Sequence, residues 1–74
     1  MARYFFNVRN HVHTQDDIGT ELAGMPQALE EAHRDIADIK RAEFSVLDSH
    51  WDGWSIEVCD EGGALVLTVP FITN

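Results

Sequence analysis

Two alternating apolar runs joined by a short acidic, glycine-rich link constrain this chain more than any other feature. Trp54, Ile56 and Val58 alternate with Ser55, Glu57 and Cys59, the period-2 pattern of a strand with one buried face. Downstream, Leu65, Leu67, Val69 and Phe71 alternate with Ala64, Val66, Thr68 and Pro70. Between them, Asp60-Glu61-Gly62-Gly63 supplies the glycines and the polar side chains that tight hairpin turns use. The pattern predicts a β-hairpin with Trp54, Ile56, Val58, Leu65, Leu67, Val69 and Phe71 on one side. The rest of the chain must cover them.

The upstream sequence offers a cover. Arg3 to Arg9 reads as a strand, with Tyr4, Phe6 and Val8 on one face and Phe5 and Asn7 on the other. Asn10 to Thr20 is polar and reads as a loop, and Thr20-Glu21-Leu22 as a short second strand. Pro26 suits the first turn of a helix. The helix is expected from Pro26 to about Phe44, with Met25, Leu29, Ala32, Ile36, Ile39 and Val46 along its apolar stripe. Glu30, Glu31, Asp35 and Asp38 lie on its solvent side. Ser45 to Gly53 is a connection in which Trp51 and Trp54 flank the turn Asp52-Gly53 and close one end of the core.

This order, β, short β, α, β, β, predicts a single small α+β domain spanning residues 1–74. It has two layers, one amphipathic helix packed on an antiparallel sheet of three or four strands. The expected strand order is second, first, third, fourth, with the Pro70 strand at an edge, where proline is tolerated. Phe6, Ile36, Ile56 and Leu67 are the predicted core.

Composition narrows the functional classes. Thirteen Asp and Glu against five Lys and Arg give a net charge of -8. Such a surface repels phosphate, which excludes general nucleic-acid binding and disfavours an anionic membrane surface. No apolar run approaches the roughly 20 residues that span a bilayer. One cysteine, Cys59, cannot form an internal disulfide, so a reducing, cytoplasmic setting is expected.

Few residues suggest chemistry. His11 and His13, followed by Asp16 and Asp17, come nearest to a metal site, because His-x-His in extended chain puts both rings on one side. They lie in a polar stretch with no zinc-type framework, so no metal and no cofactor are expected. Cys59 with His33 or His50 lacks a nucleophile elbow or an oxyanion loop. No catalytic residue is predicted.

Three segments together carry a resemblance. Arg3-Tyr-Phe-Phe6, Gly19-Thr-Glu-Leu22 and Asp52-Gly-Trp-Ser-Ile-Glu-Val-Cys-Asp-Glu61, through Leu67-Thr-Val-Pro-Phe71, resemble the motifs of a family of small bacterial proteins, a domain of unknown function. The chain departs from that pattern at Asn10 to His13 and at Met25-Pro26. The resemblance implies the fold above and no activity that carries over.

The functional expectation is a non-enzymatic cytoplasmic module for protein–protein interaction. The alternative is a small antitoxin-like regulator that binds a basic protein partner. A homodimer is also expected, through the sheet face turned from the helix: Phe5, Ala64, Val66 and Thr68 would form its surface.

Overall fold

The computed structural model describes residues 1–10, 14–42 and 51–72. Five elements follow in order: β1 (Ala2–Arg9), β2 (Thr20–Leu22), α1 (Met25–Ala42), β3 (Ser55–Cys59) and β4 (Leu65–Pro70). The strands form one antiparallel sheet in the order β2-β1-β3-β4, and α1 packs on it, over β3 and β4. This is the expected α+β, two-layer arrangement. The aromatic β1 is central, and β4 with its proline is an edge.

Alternation places the core where the helix meets the sheet. Tyr4 and Phe6 on β1, Ile56 and Val58 on β3 and Val69 on β4 are buried, with Phe71 and Trp51 at one end. At that end the Trp51 ring lies 5.4 Å from the Phe71 ring in a stacked arrangement and 4.9 Å edge-on from Trp54. Such pairs add to the area they bury. The turn between the tryptophans is closed by a bond of 3.0 Å from the Trp54 N–H to the Trp51 carbonyl.

The helix starts where the Ala28 N–H reaches the Gly24 carbonyl, at 3.0 Å. Lys40 and Arg41 in its last turn suit the negative end of the dipole. Its buried stripe differs from the expected one. Ala28, Ala32 and Ile36 are buried and Ile39 is partly so, whereas Met25 and Leu29 are 40% and 41% exposed. The physical reason is close approach. Ala28 and Ala32 are fully covered, and small side chains let the helix lie near the sheet while the bulk comes from Tyr4, Phe6 and Ile56. The expected helix end at Phe44 and the stripe residue Val46 lie outside the described residues.

The second correction falls in β4. Val58 pairs with Leu67, yet the next residue, Cys59, pairs with Leu65, so Val66 is a bulge. A bulge shifts the side-chain alternation by one. Leu65 therefore leaves the core face and is 56% exposed, while Val66 and Leu67 both pack against the core as half-buried residues. Leu67 is thus half-buried, whereas Phe6, Ile36 and Ile56 are buried core residues.

The bulge and the burial pattern predict an order of mutational cost. Ile56→Ala should lower stability by about 2–5 kcal/mol, and Leu65→Ala by no more than about 0.5 kcal/mol. Urea unfolding of both variants checks this. Equal costs would remove the bulge.

Candidate functional site

The sheet face turned from the helix carries a cavity with an acidic lining. Two turns border it, and they are built alike: Asp16-Asp17-Ile18-Gly19 before β2, and Asp60-Glu61-Gly62-Gly63 between β3 and β4. In each, the leading aspartate accepts bonds from backbone N–H groups just downstream, as Asx turns do. Asp16 Oδ1 accepts from Ile18 and Gly19, both at 3.0 Å. Asp60 Oδ1 accepts from Gly62 at 2.9 Å and from Ala64 at 3.0 Å. Each turn ends on a glycine of positive φ, 77° at Gly19 and 86° at Gly63.

Both turns also complete the hydrogen bonding of β1. Its even-numbered residues present their backbone groups toward β2, but that neighbour is interrupted. β2 pairs only with Ala2 to Tyr4, and Val8 pairs further on with Thr14. Phe6 falls in the gap, and its N–H donates to Asp16 Oδ2 at 3.1 Å. On the other side β3 reaches only as far as Phe5, and the Arg3 N–H donates to Glu61 Oε1 at 3.0 Å. Carboxylates thus stand in for missing strand. Asn7, buried on this face, holds the first turn in place: its Oδ1 accepts from the Asp16 N–H at 2.8 Å, and its Nδ2 faces the Cys59 sulfur at 3.7 Å.

Burial acts to raise the Asp16 pKa, but the N–H donors of Gly19, Phe6 and Ile18 outweigh it and hold the carboxyl below its ordinary value. Asp16 therefore stays ionised.

Between the two turns lies an open cavity of about 350 Å³. Phe5, Asn7 and Cys59 line it from the sheet, and Asp16, Asp17, Asp60 and Glu61 from the turns. No Lys or Arg lines it. All five Lys and Arg side chains are engaged by other groups of the fold, Arg3 in part by the Ile18 carbonyl of the first turn, at 2.8 Å. Arg3 pairs with Glu21 and Arg9 with Glu57, each at 3.2 Å; Arg34 pairs with Glu31 at 3.6 Å and Arg41 with Asp38 at 3.0 Å. Lys40 donates to the Phe71 carbonyl.

Of the residues expected to form an interaction surface, Phe5 is half-buried on this face, against Gly19, and Ala64 and Thr68 are exposed. Val66 is the exception, because the bulge turns it toward the core. Asp16 and Asp17 line the cavity, while His11 and His13 lie outside the described residues. Among the described residues, no group of three or more His, Cys, Asp or Glu side chains is placed to hold a metal ion. No described helix is long and apolar enough to cross a membrane. Neither the bracing carboxylates nor the buried Asn7 was expected from the sequence. The repeated Asp-acidic-x-Gly pattern was the available signal.

A family model matches residues 3–73. The chain belongs to the DUF6894 family. That family is described as a domain of unknown function, so membership assigns no activity. No curated protein and no solved structure matches the chain.

The two turn glycines separate by what surrounds them. A Cβ on Gly19 would lie 2.8 Å from Arg3 Cγ, 2.9 Å from Phe5 Cε2 and 3.0 Å from the Tyr4 carbonyl oxygen, whereas Gly63 has open space. Gly63→Ala should cost about 1 kcal/mol for its left-handed backbone, and Gly19→Ala about 2 kcal/mol or more. Thermal unfolding of the two variants tests the difference. A Gly19→Ala variant as stable as Gly63→Ala would contradict the packing.

Proposed function

We propose that this member of the DUF6894 family is a non-enzymatic protein-interaction module whose acidic sheet face receives a basic segment of a partner protein. One observation carries the reading: the chain's cations are committed to its own carboxylates and carbonyls, while Asp16, Asp17, Asp60 and Glu61 surround a cavity that no cation lines. Fields of one sign concentrated over a concave surface raise the local concentration of oppositely charged groups and speed encounter. A Lys or Arg side chain entering the cavity would meet the Phe5 ring and the carboxylates together.

A second copy of the chain is the poorer occupant. Each copy carries a net charge of -8, and the inward turn of Val66 removes one of the apolar residues that a dimer face would use. The β4 edge is also a poor template, because Pro70 has no N–H and the bulge at Val66 breaks its regularity. An antitoxin-like regulator would use the same acidic face on a basic toxin, and nothing in the geometry favours that narrower role.

Affinity capture from native cells, with the bound proteins identified by mass spectrometry, tests the proposal. The expected partner is a basic protein released as salt rises from about 0.1 to 0.5 M, where screening shortens sharply. Asp17→Lys, at a cavity residue whose side chain has no bond among the described residues, should cut capture at least about tenfold, an effect near 1.4 kcal/mol. Glu30→Lys on the helix should leave it unchanged. Capture that ignores both salt and Asp17→Lys would reject the proposal.

A further inference from the structure

The bulge in β4 also shapes the sheet face turned from the helix. With strict alternation Leu65 would join Leu67 and Val69 on the helix side. Val66 packs against the core instead, and Leu65 takes the register position opposite Cys59. Bulges re-aim side chains in this way. Cys59 in turn pairs with Phe5. Paired residues share a face, with Cβ atoms about 5 Å apart, so Phe5, Cys59 and Leu65 lie abreast across three strands. Phe5 and Cys59 are half-buried and line the acidic cavity, and Leu65 beside them is 56% exposed. The next paired row, Asn7, Glu57 and Thr68, is polar. An apolar row thus runs from the cavity to the β4 edge with polar residues beside it.

Building on the basic-partner reading above, we propose that this row is the apolar half of the same docking face: the segment that places a Lys or Arg in the cavity seats a neighbouring aliphatic or aromatic side chain on Leu65. Charge complementarity selects the occupant. Asp16, Asp17, Asp60 and Glu61 surround the cavity, and no Lys or Arg lines it. A second copy would bring those carboxylates against their own kind, on chains that each carry a net charge of -8. Leu65 lies one strand spacing from Cys59 and two from Phe5, about 5 and 10 Å. Side chains two apart on an extended segment, or three to four apart on a helix, are separated by about 5–7 Å and fit that span. The carboxylates attract any basic segment. Leu65 narrows the choice to those with an apolar side chain close to the cation, through a contact that salt does not screen.

Selection from a random peptide library displayed on phage, against the immobilised whole chain, tests this contact. Peptides enriched on the wild type should carry a Lys or Arg with Leu, Ile, Met or Phe within about four positions of it. Leu65→Ala, at an exposed position, should keep the basic requirement and lose the apolar one. A peptide enriched on the wild type should bind that variant at least about fivefold more weakly, with the same dependence on salt. Asp17→Lys should lose the basic requirement. A basic motif with no apolar neighbour, or an affinity indifferent to Leu65→Ala, overturns the Leu65 contact and leaves the acidic cavity as a basic-segment site. Enriched peptides that lack a basic residue or ignore Asp17→Lys, or no enrichment, overturn both. Sedimentation of the chain alone covers the other occupant: a dimer that Leu65→Ala dissociates would assign the row to a second copy and overturn the partner contact.

Discussion

The central strand of this sheet is longer than the neighbours available to pair with it, and two carboxylates make up the difference. A buried backbone N–H without an acceptor costs roughly 1–3 kcal/mol, a serious loss for a domain of this size. Asp16 meets the Phe6 N–H in the gap within the β2 side, and Glu61 meets the Arg3 N–H beyond the end of β3. Each is delivered by an acidic turn whose own geometry depends on an aspartate and a glycine. Asn7 ties the first turn down, and the bare backbone of Gly19 lets it lie against Phe5.

This bracing has a consequence for function. Asp16, recruited to finish the ladder, keeps its charge, because its N–H donors stabilise the ionised form. The two turns face each other across the same sheet surface, so a device that serves the fold also concentrates negative potential over one cavity. The proposed binding of a basic partner segment uses charge that folding already requires there. The helix flank shows the opposite balance. There burial, with the charges of Glu31, Asp38 and Asp16, raises the Asp35 pKa to about 6, against the opposing charge of Arg34.

Much of the architecture was legible in the residues. Alternation from Trp54 to Phe71, the aromatic face of β1 and the proline at the start of the helix are sufficient for the elements and for the strand order. Two details were not legible, and for different reasons. Ala64, Leu65, Val66 and Leu67 are consecutively apolar, so polarity says nothing about which of them face inward, and the bulge decides. In the helix, Leu29 is more hydrophobic than Ala28, yet Ala28 is fully covered and Leu29 is 41% exposed, so hydrophobicity alone does not mark the buried stripe. The polar network around Asp16 joins residues nine and ten positions apart through side-chain bonds to backbone, which no periodicity encodes.

Amide hydrogen exchange at Phe6 tests most directly whether a carboxylate completes the central strand. In the wild type this amide should exchange slowly although no strand runs beside it. In Asp16→Ala its exchange should accelerate by about 10- to 100-fold, the equivalent of a charge-assisted bond, while the Ile56 amide, bonded within the β3–β4 ladder, changes much less. A Phe6 amide that exchanges freely in the wild type, or that keeps its protection in Asp16→Ala, would contradict the account.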